Sequence, residues 1–502
     1  MVVSQTVQAR HRETLDRMSR YLDSEHMAAA WACAQRLHLR LGEGAEQAPT
    51  VMVAYGGGKD SSYTVAFMRL VQLLLEQRNG YTFRLRTATN RHAGMPRSVT
   101  ENIERTYSAL GFKEDPTVEP LWVEGSAVRP FDPSAPLPLA IAERNRMDAL
   151  MAGHRTGGEG RPTFCNACNF SMVASFRRAA EYGSGVEFIV TGDSTSEQRH
   201  YIAWVNSAGR RLGLARRRGR RGATGFLERV EDLSEIYFAE LYGDTRSDDR
   251  EPIQNGAEGL RGFFSIYQET SYTADRHWEL LTEFLGFQFD ELAFNFSETD
   301  CANPALMAHL RGLRTERLGL GTYFEGIEEY VRFALSLMQK KGFPDELIVE
   351  MRRRYATPIA TLDRRLEIEA YAAEAFGLSP ENLLCMVFAP FVDGAKGLGL
   401  YLTKGHPELA VRLSDIHRIL GARTQPSRAE KRLVDKLCWL SGLPIEGLQQ
   451  LYRSQRYLGS DLLGQGKDAP IPLLLEGDPH KATIEVRRGE SARLVREVIT
   501  GR

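Results

Sequence analysis

Apolar positions along the first two hundred residues fall into two alternating textures. Short runs at 51–55, 83–89, 121–123 and 188–191 are rich in β-branched, aromatic and other apolar residues and are bounded by turn formers, which predicts strands. Between and after them, 61–77, 99–110, 138–152 and 169–182 space their apolar residues at i, i+3 and i+4, which predicts helices. Regular alternation of the two predicts an α/β fold: a doubly wound parallel sheet with ligands at the carboxyl ends of its strands. The stretches LDRMSRYL and MAAAWACAQRLHLRL predict helices ahead of the first strand. From about 261 the pattern is mostly helical, with LGTYFEGIEEYVRFALSLMQKKG the most amphipathic stretch. The segment PIPLLLEGDPHKATIEVRRG predicts a short strand pair.

These textures divide the 502 residues into an N-terminal helical segment (1–48), a nucleotide-type α/β domain (49–204) and an Arg-rich insertion (205–260). A segment completing that domain (261–320) and a mostly helical C-terminal domain (321–502) follow. No run approaches the roughly 20 apolar residues of a membrane span. The first residues lack a signal-peptide core, so the expected setting is cytoplasmic, with no membrane partner. Sixty-four basic residues against 65 acidic ones leave no bulk field to steer a polyanion. The charge is nonetheless uneven. Arg210, Arg211, Arg216, Arg217, Arg218, Arg220 and Arg221 crowd one glycine-punctuated stretch, followed by Glu228, Glu231, Asp232, Glu235 and Glu240. That stretch reads either as a solvated loop or as an arm contacting RNA or another polyanion.

The richest chemistry lies where the first strand ends. Tyr55, Gly56, Gly57, Gly58, Lys59, Asp60, Ser61 and Ser62 form a glycine-rich strand-to-helix turn. Glycines let backbone N–H groups face an anion, and the following helix presents its positive end. Neither GxxxxGK[ST] nor GxGxxG with an acidic strand end is present, so the common mononucleotide and dinucleotide loops are disfavoured. After the second strand comes His92, in Asn90-Arg91-His92-Ala93-Gly94. Cys165 and Cys168 stand at CxxC spacing before a helix carrying Arg177 and Arg178. Two such thiolates can ligate one metal centre, and a helix start favours the thiolate. A zinc site would want a fourth ligand that the neighbourhood does not offer; a persulfide or disulfide pair needs no metal. Cys33, Cys385 and Cys438 sit in apolar helical contexts and read as core residues, whereas Cys301 lies in a polar turn.

The loop resembles the pyrophosphate-binding loop of the ATP pyrophosphatase (PP-loop, adenine nucleotide alpha-hydrolase-like) superfamily, whose signature SGGxDS is matched from Gly56 to Ser61 with glycine in place of the first serine. The resemblance implies ATP and Mg²⁺ as cofactors. It places the nucleotide on Tyr55, Gly56, Gly57, Gly58, Lys59, Asp60, Ser61, Ser62, His92 and Gly192. A backbone amide or Ser62 would stand in for the absent hydroxyl. Phe164 to Ser171 and Thr191 to Glu197 are similar to the tRNA thiolation branch, the 2-thiocytidine and 2-thiouridine synthetases. There a CxxC and basic helix precede an (A/T)GHxxDD segment. Here Asp193 stands at the His position, with Ser196 and Glu197 at the two Asp positions. The implied catalytic set is Lys59, Asp60, Asp193 and Glu197. The implied cluster ligands are Cys165, Cys168 and Cys301, holding a [4Fe–4S] centre. Gly57 to Ser62 also looks like the GGKDSS loop of N-acetyl sugar amidotransferases. The expected activity is ATP-dependent adenylation with pyrophosphate release, then sulfur transfer to a tRNA base or small molecule. Ammonia transfer to a sugar is the alternative, and an ATP-binding scaffold or sensor the non-enzymatic one. Expected partners are the acceptor substrate, a sulfur or ammonia donor protein and a second copy of the chain.

Overall fold

Alternation along each strand sorts side chains to opposite faces of one sheet. In β1 (Thr50–Ala54) Val51 and Val53 enter one apolar cluster and Met52 another. In β5 (Phe188–Val190) Phe188 and Val190 share the first cluster and Ile189 the second. Both faces are therefore covered, as an interior parallel sheet requires. The computed structural model describes residues 1, 3–42, 48–193, 195–214, 222–243, 259–270, 277–290, 292, 302–340, 342–422, 427–458, 469–476, 481–489, 491 and 493–500.

Helices α1 (Gln5–Ser19) and α2 (Ser24–Leu41) precede β1; α3 (Lys59–Asn79) leads to β2 (Arg84–Asn90), and α4 (Arg97–Ala109) to β3 (Val118–Glu124) and β4 (Ala127–Pro130). Then come α5 (Leu139–Thr156), α6 (Gly160–Phe164), α7 (Asn166–Glu181), β5, α8 (Thr195–Arg211), α9 (Gly222–Tyr242) and β6 (Gly262–Phe263). The sheet order is β4-β3-β2-β1-β5-β6, parallel throughout except for β4. The chain thus works outward from β1 through β2 and β3, then returns to lay β5 on the other side. This is the expected doubly wound sheet. Its switch point lies between β1 and β5, where ligands bind such sheets.

Beyond it, α10 (Asn303–Arg317), α11 (Tyr323–Lys340), α12 (Asp345–Arg354) and α13 (Pro358–Phe376) open a mostly helical region that runs to Glu476. Here the sequence pattern needs correction. PIPLLLE is a buried helix, Pro470–Glu476, and the strand pair is β7 (Lys481–Arg488) with β8 (Arg493–Thr500). The run's apolar residues pack all round a short helix, which periodicity cannot separate from a strand. The segment after the fourth predicted strand, expected as a polar loop, instead enters α8 at Thr195. Edge strands β4 and β6 went unread because they are too short to show a period.

Two buried charge networks fasten the ends of the chain. His11 of α1 lies 2.7 Å from both the Glu76 and the Asp115 carboxylates, and Arg69 donates to Asp115 at 2.5 Å. At the other end Arg311 and Arg488 interleave with Glu329 and Glu497 at 2.8–2.9 Å, pinning the β7–β8 hairpin to α10 and α11. Burial alone would raise the Asp115 carboxyl, but the His11 hydrogen bond and the Arg69 charge outweigh it and hold it well below the usual carboxylate range. Its stabilising contribution is complete above the ordinary carboxylate pKa of about 4 and is lost as pH falls through the native value. His11→Ala leaves two buried carboxylates short of a partner and is expected to cost about 3–5 kcal/mol in urea unfolding at pH 7. The gap between wild type and variant should narrow as the melts are repeated at falling pH.

Candidate active site

The turn after β1 is shaped by what it cannot hold. Gly57 has φ +81°, and a Cβ there would lie 2.6 Å from Val99 Cγ1 and 2.9 Å from Ile103 Cγ1 of α4. Helix α4 therefore rests on bare backbone. Gly58 is the N-cap of α3 and supplies no side-chain cap, so the first N–H groups of the helix are left for another acceptor. The Ser61 hydroxyl donates to the Gly58 carbonyl at 3.0 Å and the Thr64 hydroxyl to the Asp60 carbonyl at 2.9 Å, which stiffens this first turn. Lys59 is only 2% exposed, and its ammonium pairs with the Asp60 carboxylate. A solvated surface lysine is ruled out.

Two residues of the expected nucleotide set face elsewhere. The Tyr55 and Ser62 hydroxyls lie 3.1 Å apart in the core beneath the loop, where burial pushes the Tyr55 phenol up to about 12. Ser62 therefore does not replace the hydroxyl absent at Gly56.

The loop after β5 closes on the same turn. A Cβ on Gly192 would stand 3.5 Å from the Thr64 hydroxyl and 3.8 Å from the Asp60 carbonyl. Gly192 thus lies close to the start of α3 across the β1/β5 switch point, with room for a Cβ. Asp193 is half-buried, and the Gln198 amide reaches back to the Thr191 hydroxyl at 3.2 Å and the Asp193 carbonyl at 3.4 Å. Glu197 stands exposed on the first turn of α8. Tyr267, from the loop after β6, joins this group unannounced. Burial raises its phenol, with the Asp60 carboxylate the largest charge acting on it and Asp193 a further one, while Thr64 hydrogen-bonds it. No motif marks Tyr267; only its place beyond a two-residue strand would have pointed to it.

A second hollow opens beside the end of β2. His92, Asn145, Asp148, Cys168, Ser171 and Asn303 line it, with the Phe164 and Phe376 rings as apolar walls. The Ala93 N–H donates to Asn145 Oδ1 at 2.8 Å. The Gly94 carbonyl accepts from the Ala302 N–H at 3.0 Å and from the Tyr371 hydroxyl at 2.8 Å. These bonds tie the β2 loop to α5, α10 and α13. His92 accordingly faces the CxxC helix in this hollow. Among the described residues, Asn90 Nδ2, Asn166 Nδ2 and Asn303 Oδ1 are buried with no hydrogen-bond partner. Native interiors keep few such atoms, and Asn303, which lines the hollow, leaves its acceptor open there to a polar ligand.

Cys165 is buried where α6 meets α7, and Cys168 follows one turn on, half-buried. Cys301 lies outside the described residues; Asn303, two residues on, lines the hollow. Among the described residues no three His, Cys, Asp or Glu side chains are placed to share a metal. Burial pushes Cys33 up to about 12 and Cys438 to about 11, and raises Cys385 as well, so these three are inert core thiols. Arg210 and Arg211 end α8, with Arg211 paired to Glu476; Arg216, Arg217, Arg218, Arg220 and Arg221 lie outside the described residues. No helix among the described residues is long and apolar enough to cross a membrane.

No family model matches the chain, and no curated protein does. Among solved structures, the chain is similar to U34-tRNA thiolase NcsA from Methanococcus maripaludis with its [4Fe-4S] cluster, at 12% identity over 61% of this chain and 80% of that one. The TM-score is 0.24, too low for the likeness to carry weight for fold or function.

Gly57→Ala tests the loop's central constraint. The left-handed backbone and the clash with Val99 and Ile103 together should cost about 1–3 kcal/mol in denaturant unfolding and push α4 off the loop.

Proposed function

We propose that the chain is a PP-loop ATP pyrophosphatase: it adenylates a carbonyl of a tRNA base or small molecule, releases pyrophosphate and transfers sulfur to the activated carbon. The observation that carries this reading is the close approach of Gly192 to the start of α3, which brings the two loops at the switch point together. The thiol- and amide-lined hollow at the end of the neighbouring strand β2 supports it further.

In this reading the triphosphate sits against the uncapped N–H groups of α3, and the Lys59 ammonium moves from Asp60 onto the phosphates. Asp60 and Asp193, which both act on Tyr267, are the carboxylates to hold Mg²⁺. The acceptor's carbonyl oxygen attacks the α-phosphorus, and the bond from that phosphorus to the pyrophosphate oxygen breaks. Charge gathering on the pyrophosphate is met by Lys59 and the loop amides. A sulfur nucleophile then adds to the adenylated carbon, and AMP leaves with the former carbonyl oxygen. The Phe164 and Phe376 walls shield that carbon from water.

Two thiols at a helix start beside unpartnered buried amides suit a metal–sulfur centre in donor type. Cys165, Cys168 and Cys301 would hold it, and a [4Fe–4S] cluster there would supply an open iron for sulfide. The GGKDSS run from Gly57 to Ser62 favours ammonia transfer as the second reading.

Asp60→Ala is expected to lower pyrophosphate release from ATP by about 10²–10³-fold in protein that is still folded by circular dichroism, though with a lower Tm because the buried Lys59 loses its partner. Turnover at the wild-type rate would remove the loop from the mechanism. Protein purified without oxygen should be brown, and Cys165→Ala, Cys168→Ala and Cys301→Ala should each bleach its visible absorbance. A brown Cys301→Ala protein would dismiss the third ligand, while a colourless wild type that still releases pyrophosphate would favour nitrogen transfer.

A further inference from the structure

We propose that Phe343, far along the chain in the helical region, is the positioning residue for the loop lysine. This rests on the reading of the loop as an ATP site. Its ring centroid lies 5.1 Å from Lys59 Nζ, within the range of a cation–π contact. Lys59 is almost wholly buried, and an ammonium taken out of water must be compensated. The Asp60 carboxylate compensates it on one side and the Phe343 ring on another.

The backbone explains how Phe343 reaches this place. Gly342, at φ +67°, ends α11; its N–H donates to the Gln339 carbonyl at 3.1 Å and the Phe343 N–H to the Met338 carbonyl at 3.2 Å. Pro344 then bars any continuation and caps α12. A hydrophobic residue after a left-handed glycine commonly packs back on its own helix, so Phe343 has an ordinary reason to be apolar. Contact with Lys59 goes beyond that reason. Phe289 stands 6.4 Å from the Phe343 ring and stacks in turn on Trp278, 5.6 Å away. Phe343 thus reaches the lysine with Phe289 and Trp278 in line behind it.

The two partners differ in what they do to an arriving triphosphate. Asp60 carries a full negative charge that repels phosphate and competes with it for the ammonium. A phenyl ring attracts the cation through its quadrupole and bears no net charge. Lys59 can therefore exchange Asp60 for phosphate while staying against Phe343, which keeps the ammonium at the mouth of the loop. ATP binding and the seating of the helical region are coupled through this one ring.

The test replaces Phe343 in the full-length protein with mono-, di- and trifluorinated phenylalanine, which withdraw charge from the ring face with little change of shape. ATP affinity is read by calorimetry and stability by thermal melt. The dissociation constant for ATP should rise stepwise, to about 2–30-fold in the trifluorinated protein, and the Tm of the ATP-free protein, which also rests on this contact, should fall in the same order. Phe343→Tyr should stay near wild type, and Phe343→Leu should match the trifluorinated protein. A flat dissociation constant across the series, with wild type binding ATP, overturns the role of Phe343 alone. Failure of wild type to bind ATP overturns the loop reading and this inference together.

Discussion

Everything at this site depends on one stretch of backbone that tolerates no side chain. The Cβ position of Gly57 is already occupied by Val99 and Ile103, so α4 can lie against the loop only because the loop is bare there. That close packing turns the chain sharply from a buried strand into α3 and leaves the first N–H groups of the helix facing the switch point. From the other side Gly192 approaches the start of the same helix, where a Cβ would make only ordinary van der Waals contact. The loops after β1 and β5 thus define the crevice, and the charged residues are fitted around it.

Charge in this protein is handled by pairing within the interior. Lys59 against Asp60 and Phe343, His11 between Glu76 and Asp115, and the Arg311, Arg488, Glu329 and Glu497 cluster are all largely removed from water. Such arrangements add little net stability, but breaking one is costly, and each joins segments distant in sequence. One seats the first helix, one seats the last hairpin, and one brings the helical region onto the loop. The proposed active site therefore lies between the parts of the molecule that these contacts fasten.

Legibility in the sequence followed how local each physical cause was. The Gly56 to Ser61 loop, the CxxC turn and the strands feeding them were readable, because glycine runs and alternating burial act over a few residues. Ser62 was misjudged because its hydroxyl lies opposite that of Tyr55, and which side of a helix faces the core is settled by packing. Lys59 reads as a loop residue, but its near-complete burial was not legible because nothing nearby in sequence announces Phe343. Tyr267 and Asn303 carried no motif at all and are marked only by where their segments end up. Strands β4 and β6 were missed for want of length, and PIPLLLE was misread because full burial erases the difference between helix and strand periods.

By itself the sequence determined an α/β chain with a doubly wound sheet, a phosphate-type loop at the end of its first strand, a paired-cysteine turn and a long helical continuation. Strand alternation, helix periodicity and glycine's conformational freedom are local properties, so they can be read residue by residue. Tertiary structure alone decided that the switch point falls between β1 and β5, that Gly192 meets Asp60 there, and that His92 joins Cys168 and Asn303 around one hollow. It also decided that a phenylalanine beyond the third hundred residues covers the loop lysine. These are matters of which surfaces exclude water together, and that is settled only when the whole chain packs.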